Sequence, residues 1–215
     1  MEIPHKKLLT DFFTTQTRLA YKRGEMVLRS EDNPAGLMYL EKGFVRQSFT
    51  GDDGAIFLVH IFKPGSLFPM TWMVNDTLNV YNFEALTPVV IWRATKEDAG
   101  VFLQQHPEIM LDFASRLLAG VTGFLERMQY VVLKDARDKL LLLLGYYVKN
   151  FSEKTGRGYK LLIPLTHKEI AAWIGTTRET ASVQVERLKA KGLIVYKGRQ
   201  MIIPDPVRLK RELGR

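Results

Sequence analysis

The chain has 215 residues, of which 46% are apolar and 25% charged, with a formal charge of +8 and no cysteine. That length suits one large or two small domains, and the apolar share builds a core and rules out a disordered chain. Zero cysteine excludes a disulfide framework, a thiolate zinc site, an all-cysteine iron–sulfur cluster and a cysteine nucleophile. The longest apolar run, Leu140 to Val148, falls far short of the ~18 residues that a membrane span needs. No apolar h-region follows Met1–Lys7, so neither a signal peptide nor a membrane partner is expected, and the cytoplasm is the expected compartment. The charge is uneven. Residues 1–133 carry 13 basic and 15 acidic side chains, a net −2, whereas residues 134–215 carry 18 and 8, a net +10. A near-neutral front and a basic back suggest an attached nucleic-acid module.

In chain order, the first ~20 residues read as a short helix and an approach segment. From Tyr21 to Arg93 short apolar runs alternate with turns. Met38–Leu40, Phe44–Phe49, Ala55–Phe62 and Val89–Trp92 read as strands, with Gly24, Gly43, Gly51–Gly54 and Pro64-Gly65 between them. Many short strands at this spacing predict an antiparallel sandwich or jelly roll. Asp52-Asp53, set between glycines, is most simply a hairpin turn.

From Pro107 to Leu133 the period becomes helical. Met110, Ala114, Leu117, Val121, Phe124, Met128 and Val131 recur at gaps of four and three. That narrow heptad stripe favours a helix–helix dimer seam over burial on its own domain. Gly120 and Gly123 interrupt it, for close backbone approach or for a bend. Asp135, with Asp138 three residues on, opens a new helix running to about Phe151, so a hinge is placed near Leu133-Lys134-Asp135. Ser152 to Gly158 reads as a polar loop.

Thr166-His167-Lys168-Glu169 is a capping box. Its helix buries Ile170, Ala171 and Ile174, Gly175 permits a tight turn, and Thr177 caps a second helix that Gly192 stops. Two short helices across a glycine turn make a helix-turn-helix. Leu193–Tyr196, a Lys197-Gly198-Arg199 turn and Met201–Ile203 then form a β-hairpin wing, and Asp205-Pro206 opens a last helix. Ala181, Val185 and Leu188 fall within about 60° around the second helix and face the core. The other face carries Glu179, Ser182, Val183 and Glu186, with Arg178 at its N-terminal edge. Arg178 suits guanine or phosphate, Glu179 suits cytosine N4, Ser182 is permissive and Val183 suits a thymine methyl.

These residues resemble the CRP/FNR transcription regulators. Leu165 to Thr180 is similar to the winged-helix signature of that family. Tyr21–Glu25, Met38–Gly43 and Phe62–Phe68 are similar to the glycine turns of its β-roll. The resemblance implies an α+β fold: a β-roll sensor over 1–106, a dimerisation helix over 107–133 and a winged helix-turn-helix domain over 134–215. It implies a homodimer through Met110, Leu117, Val121, Phe124, Met128 and Val131, a palindromic site in double-stranded DNA and contact with RNA polymerase. Thr166, His167, Lys168 and Thr177 would meet DNA at or near phosphate, Arg178 and Glu179 would read bases, and the wing would add Lys197 and Arg199.

Two departures stand out. The second base-reading arginine of much of the family falls at Val183. The arginine that a cyclic-nucleotide phosphate needs is missing, because none lies between Arg46 and Arg93; the corresponding stretches read Phe68-Pro69-Met70-Thr71 and Leu78-Asn79-Val80-Tyr81. No cofactor is expected. The aromatic set Phe57, Phe62, Phe68, Trp72, Tyr81 and Phe83, with Met70 beside it and Phe124 and Met128 of the long helix, is either filled core or a pocket for a hydrophobic ligand or haem. His60 is then the axial candidate, although a lone histidine is more often structural. His5 and His106 are expected at the surface. An enzyme is not indicated, since no nucleophile–base pair, metal-spaced cluster or phosphate loop is found. An RNA reader lacks the stacking platforms it needs. A regulator that needs no effector stays open beside one that senses a signal.

Overall fold

The computed structural model describes residues 5–51, 56–133, 135–198 and 200–213, with backbone alone for 126–133. The chain divides into two compact units between Val121 and Thr122. The first contains α1 (Lys6–Phe13), β1 (Thr17–Tyr21), β2 (Met26–Leu28), β3 (Leu37–Lys42), β4 (Val45–Thr50), β5 (Ile56–Phe62), β6 (Leu67–Phe68), α2 (Met70–Asn75), β7 (Asn82–Ala85), β8 (Val89–Ala94) and α3 (Lys96–Gln105). Helix α4 (Pro107–Leu133) starts in this unit and crosses the division. The strands form two antiparallel sheets, ordered β1-β8-β3-β6 and β2-β7-β4-β5. Eight strands in that order make the jelly roll expected from the turn spacing.

Burial along β3 explains how the roll is filled. Leu37, Met38, Tyr39 and Leu40 are all buried, although successive side chains leave opposite faces of a strand. Met38 and Leu40 pack between the sheets with Val45, Phe68, Phe83 and Ile91. Leu37 and Tyr39 pack outward against Leu9, Phe13, Phe102, Leu103 and Ile109, which come from α1, α3 and the start of α4. A sheet covered on both faces reads as a continuous apolar run.

The structure adds elements that the sequence reading lacks. β1 occupies part of the expected approach segment and pairs with β8 from Thr17↔Arg93 to Tyr21↔Val89. β2, β6 and β7 span only two to four residues, too short for a period to show. α3 is opened by Thr95, whose Oγ1 accepts from the Asp98 N–H at 3.1 Å. The Asp52-Asp53 turn lies outside the described residues.

The second unit holds α5 (Ala136–Asn150), β9 (Ser152–Thr155), β10 (Gly158–Leu161), α6 (His167–Ile174), α7 (Arg178–Ala190), β11 (Val195–Lys197), β12 (Gln200–Ile203) and α8 (Pro206–Arg211). Asp135 caps α5 by accepting from the Asp138 N–H at 2.8 Å. Lys134, at the expected hinge, lies outside the described residues. The expected polar loop 152–158 is instead a hairpin. β9 and β10 pair across Gly156-Arg157, and β10 also pairs with β12 of the wing. One sheet results, ordered β11-β12-β10-β9. Leu161, Met201 and Ile203 are buried and give this sheet an apolar side. Among the described residues, no helix is long and apolar enough to cross a membrane.

Gly158 is the tight point of that sheet. Its φ is +117°, and an added Cβ would lie 2.4 Å from the Ile203 carbonyl oxygen. Gly158→Ala is therefore expected to destabilise the second unit by about 2–4 kcal/mol, combining left-handed strain with overpacking. Chemical denaturation checks this; an unchanged midpoint contradicts the close approach.

Candidate nucleic-acid interface

The interface is built by two capped helices. Thr166 Oγ1 accepts from the Glu169 N–H at 3.2 Å while Glu169 Oε2 accepts from the Thr166 N–H at 2.7 Å, so the capping box is complete. Gly175 ends α6 in the left-handed region (φ 63°, ψ 53°), which glycine adopts without steric cost. Thr177 Oγ1 then accepts from the Thr180 N–H at 3.2 Å and starts α7. Three residues thus turn the chain from one helix into the next.

Apolar contacts fix the roll of α7 about its axis. Ala181, Val185 and Leu188 are at most 1% exposed, and α7 packs on both α5 and α6. Behind them, Leu140, Leu141, Leu144 and Tyr147 of α5 join Ile170 and Trp173 of α6 in the core. The buried Trp173 indole N–H donates to Tyr147 Oη at 3.1 Å, so neither polar atom is stranded. Arg178, Glu179 and Val183 are exposed, Val183 by 50%, and Ser182 is half-buried. Glu179 sits in the first turn and Arg187 and Lys189 in the last, each matching the helix dipole.

The far end of α7 is pinned by Glu212. Its carboxylate pairs with Lys191 at 2.8 Å and with Arg137 of α5 at 2.8 Å. Arg208 of α8 donates to the Lys191 carbonyl at 2.9 Å. Lys191 foremost, then Arg137, holds the Glu212 carboxyl below its ordinary value of 4.5.

The remaining DNA candidates lie around these helices. His167 is half-buried and Lys168 exposed in the first turn of α6; Thr166 and Thr177 are exposed while their hydroxyls cap helices. Lys197 is exposed at the end of β11, and Arg199 lies outside the described residues. Burial lifts the Tyr196 hydroxyl above its ordinary value of 10.0, with Glu186 of α7 adding to the effect. Sequence reasoning missed the cations of the β9–β10 hairpin, Arg157 and Lys160; Gly156-Arg157 between Thr155 and Gly158 was the available turn signal.

On α4, Ala114, Leu117, Val121 and Phe124 are exposed. So are Leu111, Leu118 and Leu125, which makes the apolar band wider than the expected stripe. Met110 packs against the N-terminal core instead. The side chains of Met128 and Val131 lie outside the described residues.

The aromatic candidates of the first unit do not share one space. Phe62, Phe68 and Phe83 stack on one another at 4.8–5.9 Å inside the roll, and Tyr81 packs on the same cluster. Met70 belongs to the helix-side cluster. The half-buried Trp72 donates from its indole to Asn33 at 3.1 Å, and Phe57 is 50% exposed. His60 is exposed on β5, its ring edge-on to Phe62. His5 is exposed at the start of α1, and His106 sits 3.0 Å from Glu108. Among the described residues no group of three or more His, Asp or Glu side chains is placed to hold a metal.

A model described as the cyclic nucleotide-binding domain matches residues 18–106, and one described as the Crp-like helix-turn-helix domain matches residues 139–212. The chain is 23% identical to the global nitrogen regulator of Nostoc sp. strain PCC 7120 over 89% of this chain and 87% of that one. The structure of a CRP/FNR family transcriptional regulator from Thermus thermophilus superposes with a TM-score of 0.75 at 20% identity, covering 91% and 97% of the two chains. The c-di-GMP-responsive global regulator CLP of Xanthomonas campestris gives a TM-score of 0.78 at 19% identity, covering 93% and 99%. The chain belongs to the CRP/FNR family. It is a transcription regulator of that type with a helix-turn-helix DNA-binding domain.

Arg46 is ion-paired with Glu84, and the next arginine is Arg93. The loop after α2 is tied by Asn79, 5% exposed, whose amide donates to the Arg29 and Tyr81 carbonyls at 2.7 and 2.9 Å. Both contacts of that amide go to backbone carbonyls, one in its own loop and one at the end of β2.

Because Glu212 binds its proton less tightly folded than unfolded, its stabilising contribution is present above pH ~4.5 and fades as pH falls through the lowered folded value. Glu212→Gln should remove that part of the acid sensitivity. Thermal melts between pH 3 and 7 check it; identical pH profiles for both proteins contradict the pin.

Proposed function

We propose that this regulator acts as a homodimer on a palindromic DNA site, with α7 of each copy in a major groove, and that it contacts RNA polymerase when bound. The observation that carries this reading is the face of α7: Arg178, Glu179 and Val183 exposed, with Ala181, Val185 and Leu188 holding the opposite side. Arg178 is assigned to guanine O6 and N7, Glu179 to cytosine N4, Ser182 to either neighbour and Val183 to a thymine methyl. Thr166, His167, Lys168, Thr177, Lys197 and Arg199 are assigned to phosphate. The exposed band Leu111, Leu117, Leu118, Val121, Phe124 and Leu125 on α4 supports pairing with a second copy. Two recognition helices then need half-sites ~34 Å apart. Contact with RNA polymerase rests on the family alone. The domain division proposed is β-roll 1–106, dimer helix 107–133 and reader 134–215.

Binding-site selection from a random library tests the reading mode. Wild-type protein should recover a palindrome with guanine and cytosine in each half-site and thymine opposite Val183. Arg178→Ala with Glu179→Ala should lose about 1–3 kcal/mol of discrimination at those bases, and Val183→Ala should relax the thymine. An unchanged recovered motif in the double variant sinks the assignment.

For the first unit we propose a regulator that does not take cyclic AMP in the usual way and that works without an effector. The stacked Phe62, Phe68 and Phe83, and the Asn79 amide engaged by the Arg29 and Tyr81 carbonyls, support this reading. Native mass spectrometry with an absorption spectrum of the purified protein tests it. The expected result is a dimer with no added small mass and no Soret band. A bound small mass points to a hydrophobic ligand, and a Soret band to haem; either overturns the proposal.

A further inference from the structure

A narrow pairing seam accounts for only part of helix α4. With Met110 at heptad position d, Ala114 and Val121 fall at a, and Leu117 and Phe124 at d. From Pro107 to Glu126 the charged residues Glu108, Asp112, Arg116 and Glu126 all fall at b, c or f, the outward positions. The flanking positions e and g carry no charge over that stretch. Leu111, Leu118 and Leu125 form one column at e, exposed by 70%, 68% and 54%, and Phe113 and Gly120 stand at g. Met110 and Phe113 pack against the helix-side core of their own unit, so the seam starts at Ala114 and is short. It also lacks the Glu–Lys flank pairs that commonly set partner and orientation in coiled coils. Gly120 lowers helix propensity, yet among the described residues an added Cβ there would meet nothing within 4 Å. Packing within its own protomer does not call for glycine.

We propose that Gly120 and Leu125 fix register and partner choice when two copies pair, with Leu125 of each copy lying across Gly120 of the other. The inference rests on the homodimer reading above and deepens it. In that reading both copies bring α7 to one palindrome, and α7 follows α4 in each chain, so the two α4 helices run parallel. In a parallel pair a g residue faces the partner's e residue five positions on. Phe113 then faces Leu118 of the second copy, and Gly120 faces Leu125. The glycine leaves room for close backbone approach and for the leucine, and apolar burial takes the place of an ionic flank. A second copy is the occupant because the leucine column is continuous with the seam and shares its seven-residue period. Three exposed leucines per helix supply apolar area that so short a seam lacks.

Sedimentation equilibrium of the full chain tests this with charges placed on the flank. Gly120→Glu with Leu125→Lys sets unlike charges face to face at two symmetric places. Gly120→Glu with Leu125→Glu sets like charges there. Both variants lose the same apolar contact, so comparing them isolates which residues face each other. At low salt the first should pair at least about tenfold more tightly than the second, and the gap should close as salt rises. Wild-type pairing should hardly respond to salt. Gly123→Glu, at the outward position c, should pair as the wild type does. Equal pairing of the two double variants overturns the proposal, as expected if the helices run antiparallel or in another register. So does tighter pairing of the second variant, a steep salt dependence of the wild type, or a loss in Gly123→Glu as large as in the second variant. A wild type that sediments as a monomer would instead sink the homodimer reading itself, a separate result.

Discussion

The three-residue link from Gly175 to Thr177 is the constraint on which the DNA-binding unit depends. A left-handed glycine closes α6 and a capping threonine opens α7, so the angle between the helices is set by backbone geometry before any side chain packs. A side chain with a Cβ at Gly175 would cost ~1–2 kcal/mol in that conformation, and each threonine cap contributes ~1 kcal/mol. Start position matters as much as angle. Shifting the start of α7 by one residue would rotate its faces by about 100° and replace Ala181 with Ser182 at the core. The same cap that begins the helix therefore decides that Arg178, Glu179 and Val183 are presented outward.

The rest of the unit holds that presentation in place. Glu212 gathers Lys191 from the end of α7 and Arg137 from α5, while Tyr147 and Trp173 fasten α5 to α6 in the interior. The wing is not an isolated hairpin, because β12 pairs with β10. Its cation is thereby set in one rigid sheet with those of the β9–β10 hairpin.

The sequence made some of this readable and hid the rest for physical reasons. The helix-turn-helix was legible because its signals are local: Thr166 with Glu169, Gly175, Thr177 and Gly192 each act on backbone within a few residues. The jelly roll was legible from its turns, and its strand order followed the class. The β9–β10 hairpin was not, since its support comes from β12 some forty residues later. The aromatic set shows a second kind of loss. Phe68 and Met70 are two residues apart, yet one ends a strand inside the roll and the other starts a helix on its outer side. Periodicity cannot reveal which face a residue takes when both faces of a sheet are buried. On α4 the narrow stripe was visible, while Leu111, Leu118 and Leu125 extend it into a band that only the exposure pattern reveals.

Major-groove reading by Arg178 is tested most directly by methylation interference at guanine N7 on a selected duplex. An arginine that spans O6 and N7 is blocked by a methyl group there. The predicted result is loss of binding when one guanine in each half-site is methylated, at two positions about one helical turn apart. Binding that is indifferent to N7 methylation, or sensitive in one half of the site only, would contradict a symmetric pair of recognition helices.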